Sequence, residues 1–155
     1  MASMTSPFSL RQVLTTAAIS TAVTSLAAAV LSRKETAHVS AGLNATSHIV
    51  SGKSAFEADD TDARHTLVGW LLNAGAMLAW SGVYELLPAP HGRGGALVKG
   101  AIVSALAYVT DYHVVPSRFT PGFEQRLSPA ALSLIYASFA AALSASDLSG
   151  RAQGR

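Results

Sequence analysis

The sequence predicts an all-α integral membrane domain, a four-helix transmembrane bundle, and three observations carry that prediction. Half of the 155 residues are hydrophobic and the mean hydropathy is positive. Only 13% are charged, where a soluble domain carries about a quarter. Those charges fall between four long apolar runs rather than evenly along the chain. At this length residues 1–155 form a single domain.

The first run, Val13 to Leu31, has nineteen residues and no charge, close to the roughly 20 needed to cross a core about 30 Å thick. It is long for the apolar part of a signal peptide, so it reads as a retained helix. Thr16, Ser20, Thr24 and Ala28 recur every four residues, a small-residue stripe that lets another helix approach closely.

Residues 33–65 form the longest polar connection. Its first half, Ala41 to Val50, is apolar enough to make a short interfacial helix or to dip back among the spans. Its second half holds Glu57, Asp59, Asp60 and Asp62, read as a solvated turn leading to a helix N-cap at 60–62. No EF-hand spacing is present.

The second span, 66–87, ends at Pro88 and Pro90, and Asn73 sits near its middle, where the amide needs a partner on a neighbouring helix. Glu85 falls near headgroup level. His91 to Gly95 is a Gly-rich turn without the G-K-[ST] of a phosphate loop. The third span, 96–115, carries Gly100, Ser104, Tyr108 and Asp111 on one face, with Lys99 able to reach back to the interface. Ser128 and Pro129 give an N-cap followed by proline at the first helical position, opening the fourth span, 130–148, which Gly150 ends.

Four spans place the 33–65 and 116–128 connections on one face. That face collects His48, His65 and His113 beside Asp111. An acid close to hydrocarbon is costly and marks a site hypothesis. The polar candidates are Asn44, His48, His65, Tyr108, Asp111, Tyr112, His113, Arg118 and Glu124. Three readings compete for them. His48, His65, His113 and Asp111 are nitrogen and oxygen ligands suited to a divalent metal. A hydrogen-bonded cluster would instead lock the helices together, with Asp111 accepting from Tyr108, Tyr112, Asn44 or Asn73, or pairing with Arg118 or His113. A proton relay or transport path through Asp111, Tyr112 and His113 would require the small protomer to oligomerise.

Zero cysteines exclude disulfides, thiolate metal sites and a Cys nucleophile, and no G-x-S-x-G elbow is present, so nucleophilic catalysis is the weakest of the readings. A net charge of +2, scattered along the chain, argues against nucleic acid. The expected partners are the lipid bilayer and other membrane proteins or further copies, docking on Thr16/Ser20/Thr24/Ala28 or Ser133/Ala137/Ala141. An accessory subunit of a larger membrane complex is the alternative function. Lysine and arginine number six on the long-connection face and five on the other, which leaves the cytoplasmic side open.

Two blocks, GLNATSH (Gly42 to His48) and DYHVVPSRFTPGFE (Asp111 to Glu124), resemble an uncharacterised family of small four-span bacterial inner-membrane proteins. The likeness covers roughly residues 40–145. It implies architecture and an inner-membrane location, and it groups Asn44, His48, Asp111, His113, Arg118 and Glu124 as one site.

Overall fold

The structure, a computed structural model, describes residues 9–88 and 91–153. The polar lead before residue 9 and the helix stop at Pro90 lie outside the described residues. All regular structure among the described residues is helical. Four long helices, α1 (Leu10–Thr36), α4 (Val68–Leu86), α5 (Gly92–Val109) and α6 (Pro129–Gln153), are joined by short elements that include α2 (Ala41–Thr46) and α3 (His48–Ser51). Helix α1 packs on α4 and α6, and α5 packs on α6 and more lightly on α4. Three helices are long and apolar enough to cross a membrane, Leu10–Thr36, Ala63–Leu86 and Pro129–Ser149. The third predicted span is not among them: its helix begins Gly-Arg-Gly-Gly, so the expected turn is its first turn, and it also carries Lys99.

The helices are amphipathic in the inverted sense. Of the eight buried residues of α1, five are Ser or Thr, whereas Leu10, Leu14, Leu26 and Val30 point outward. In water that arrangement would waste the apolar area; against lipid it leaves the polar groups to pair inside. Thr16, Ser20, Thr24 and Ala28 are all buried within this chain, so this stripe is used internally. Ser133, Ala137 and Ala141 face outward. Asn73 finds the predicted partners on a neighbouring helix, donating to Thr24 Oγ1 at 3.1 Å and Ser25 Oγ at 3.3 Å.

Two glycines set the closest approaches. A Cβ on Gly69 would overlap the Leu43 carbonyl oxygen, and one on Gly100 would overlap Ser144 Oγ and stand 2.5 Å from Ala140 O. Gly69 therefore seats α2 against α4, and Gly100 brings α5 onto α6.

The 41–50 stretch dips inward. All six residues of α2 are buried, between α1 and α4, and Gly42 N donates to Ser32 Oγ at 3.0 Å. Asn44 is fully buried and uses its whole amide. Its Nδ2 donates to the carbonyls of Ala58 and Asp60, each at 2.9 Å, and its Oδ1 accepts from Thr66 Oγ1 at 2.6 Å. The acidic turn is thereby tied to the start of the helix that continues into α4. Asp62 caps that start, accepting from His65 N at 2.6 Å, and this bond with the His65 ring holds its carboxyl below the usual range.

The two long connections pack on each other. Arg126 donates to Phe56 O at 2.6 Å and pairs with Asp59, whose carboxyl it holds below the usual range. Ser128 N and Oγ donate to Glu35 at 2.7 and 2.6 Å, and Ser128 Oγ accepts from Ala131 N as the N-cap of α6. Helix α6 runs past Gly150 to Gln153.

Candidate functional site

Helix α5 does not unwind before Pro116 but widens. Residues Thr110–Val114 form one π turn, closed by Val115 N donating to Thr110 O at 2.9 Å. Such a turn inserts an extra residue into the helix and so re-aims the side chains that follow, a recurrent feature of functional sites. Here it carries Asp111, Tyr112 and His113.

The partner of Asp111 is none of those expected from the sequence. Tyr136, on α6, donates its hydroxyl to Asp111 Oδ2 at 2.6 Å. Tyr136 follows Leu132 by four residues and precedes Phe139 by three, and both of those are buried. That spacing places it on the inner face of α6, a signal legible in the sequence and missed. Rings gather around the pair: Tyr108 lies 5.3 Å from Tyr136 and 5.2 Å from Tyr112, and His113 stands 5.9 Å from Tyr108. Tyr112 is within electrostatic reach of Asp111 and of Glu124, whose Oε1 accepts from Thr120 Oγ1 at 3.1 Å. Asp111, Tyr108, Tyr112, His113 and Glu124 thus share one end of the molecule with Tyr136.

The other candidates go elsewhere. Asn44 staples the acidic turn, as described above, and His65 faces Asp62 at 3.0 Å. His48 places Nδ1 2.9 Å from Ala45 O and Nε2 3.3 Å from Ser117 O, with its ring against Phe56. Arg118 is exposed, and neither it nor His113 makes an ion pair with Asp111 among the described residues. His48, His65, Asp111 and His113 each have separate neighbours. Among the described residues no group of three or more His, Cys, Asp or Glu could hold a metal ion. The common membrane level that topology implies does not bring their side chains together.

Beside the Asp111–Tyr136 pair lies a cavity of about 120 Å³. Most of its wall is apolar, including Leu72, Met77, Ala107, Phe123 and Phe139. Five polar residues, Thr24, Thr46, Asn73, Asp111 and Tyr136, also face it. Its other walls come from α2, α3 and the 119–123 segment, so the inward dip of the first connection forms part of its lining. An apolar chamber with a few convergent polar groups is the usual form of a small-molecule site.

A second polar group occupies the opposite end. Thr16 Oγ1 donates to Glu85 Oε1 at 2.7 Å, and Ser146 Oγ reaches the same oxygen at 3.5 Å. The fully buried Tyr84 donates to Asp147 Oδ2 at 2.6 Å. Lys99 turns inward: its side chain is 10% exposed, 3.7 Å from Asp147 Oδ2 and 3.9 Å above the Tyr84 ring. An aromatic face and a carboxylate together hold the ammonium inward. That Lys99 and Asp147 would meet was not legible in the sequence, because they sit on different helices.

Comparison with known protein families, with curated proteins and with solved structures returns no match.

Proposed function

We propose that this chain is a four-span integral membrane protein that binds a small ligand in its interior cavity. The ligand is apolar over most of its surface and presents one cationic or hydrogen-bond-donating group to Asp111. The observation that carries this reading is the carboxylate itself. Asp111 faces a mostly apolar cavity, receives one protein hydrogen bond at Oδ2, and has no cationic partner among the described residues. Intramembrane acids pair with a neighbour or serve a ligand. The volume suits a molecule about the size of one six-membered ring, since a cavity of ~150 Å³ holds benzene.

Membrane embedding of α5 is supported by its outer face, where Leu97, Val98, Ile102, Leu106 and Val109 are all about half exposed. The inner-membrane location rests on the resemblance of the two sequence blocks. If all four long helices span, single cysteines at Lys53 and Ser117 label from the same side of a sealed vesicle. Labelling from opposite sides removes the four-span arrangement.

Ligand binding is read by thermal unfolding of the detergent-purified protein with cyclohexylammonium, compared with methylcyclohexane, its neutral counterpart. A ligand at 100 times its Kd stabilises by about 2.7 kcal/mol. The amine is expected to raise the midpoint more than the neutral ring, and Asp111→Asn to erase that preference. Equal shifts for the two compounds in the wild type, or a preference unchanged in Asp111→Asn, rule the reading out. The outward Ser133/Ala137/Ala141 face favours a second reading, an accessory subunit docked through α6.

A further inference from the structure

Both ends of the molecule hold carboxylates, and the interior between them is polar along one line. On α1, Thr16 contacts Glu85 and Thr24 contacts Asn73. Helices α1 and α4 therefore run antiparallel, with Ser20 at the level between Asn73 and Glu85, where Ser81 also lies on α4. Thr16, Ser20 and Ser81 are 0% exposed and Thr24 is 2% exposed. Thr24 and Asn73 in turn line the cavity that Asp111 faces. Twelve residues of helix from Asn73 to Glu85 cover about 18 Å, and the cavity extends the line toward the other face.

Two of these groups have no use in the protein's own hydrogen bonding. Ser20 Oγ and Ser81 Oγ are fully buried and have no hydrogen-bond partner among the described residues. Buried polar atoms of that kind call for an explanation, an unseen water or ion among them. They sit midway along a line joining the two acidic ends. A hydroxyl can both accept and donate a hydrogen bond, which is what proton hopping requires. Among the described residues no group of three or more His, Cys, Asp or Glu that could hold a metal cation lies there.

We propose that a proton path crosses the interior from Glu85, through the Thr16–Ser20–Ser81–Thr24 hydroxyls with bridging water, to the cavity and Asp111. A proton taken up by the Glu85 carboxylate is passed by successive O–H exchange, each oxygen accepting one proton as it releases another. It leaves from Asp111 on the opposite side. Only O–H bonds are made and broken, the hydroxyls and waters are regenerated, and the driving force is a pH difference or a membrane potential. The path needs no bound ligand, so its test is independent of the ligand reading above.

The full chain is reconstituted in sealed vesicles containing a pH-reporting dye, under a potassium potential set by valinomycin, with no ligand added. Wild-type protein is expected to carry protons well above protein-free vesicles. Ser20→Ala/Ser81→Ala is expected to lower that flux at least tenfold. Its thermal midpoint stays unchanged or rises, since the hydroxyls removed bond to nothing in the protein. Glu85→Gln, which keeps an acceptor for Thr16 but cannot titrate, is expected to give the same loss and serves if the double variant misfolds. The proposal is overturned by wild-type flux equal to that of empty vesicles. It is overturned equally by undiminished flux in either variant, or by sodium passing as readily as protons.

Discussion

Gly69→Ala is expected to destabilise the protein by roughly 3 kcal/mol, the upper end of the overpacking range. The added methyl would meet the Leu43 carbonyl, which is backbone and cannot rotate aside as a flexible side chain could. Relief requires α2 to move off α4, and with α2 goes the seat of Asn44 and one wall of the cavity. Gly75→Ala is the internal control on the same helix. Nothing lies within 4 Å of a Cβ there, so helix propensity alone acts, favouring alanine by about 0.5–1 kcal/mol. Denaturant titration in detergent compares the two. Similar midpoints for both variants would mean that the close approach of α2 to α4 carries no energetic weight.

Asn44→Ala is expected to cost about 2–4 kcal/mol, from three hydrogen bonds lost at about 1 kcal/mol each and a half-buried Thr66 hydroxyl left without its acceptor. The injury has a location as well as a size. Amide exchange should rise over residues 57–66 before it rises in α5 or α6. Asn44→Asp sharpens the argument. It has the same shape and still accepts from Thr66, but it sets a carboxylate oxygen against the Ala58 and Asp60 carbonyls. It should be at least as harmful as alanine. An aspartate variant as stable as the wild type would refute the staple.

How much of this was legible in the sequence depends on the range of the interaction concerned. The inward stripe of α1 and the need of Asn73 for a partner follow from helical period and from the cost of a lone amide in hydrocarbon. Both are local arguments, and the burial of Thr16, Ser20, Thr24 and Ala28 and the bonds to Thr24 and Ser25 agree with them. The caps at Asp62 and Ser128 were readable for the same reason. The partner of Asp111 was not, because choosing among Tyr108, Tyr112, Arg118 and Tyr136 requires the rotation of α6 about its axis relative to α5. That rotation is set by the Gly100–Ser144 contact. The π turn was equally hidden, since an extra residue in a helical turn leaves no mark in a hydropathy pattern. Four spans would set the histidines at one level, yet each has separate neighbours in the fold.

Order of synthesis gives the inward dip of the first connection a temporal meaning. Residues 41–61 leave the ribosome before α4, but what holds them comes later. Gly69 supplies the slot for α2, Arg126 ties down Phe56 and Asp59, and Ser128 anchors Glu35 at the end of α1. More than sixty residues are added between the acidic turn and Arg126. Until Gly69 and α4 arrive, the six buried residues of α2 have only α1 to lean on, through Ser32. The N-terminal hairpin of α1 and α4 can insert in sequence, but its outer loop stays unlocked until the last connection closes over it. The contacts that lock this connection are therefore complete only once the opening residues of α6 are in place.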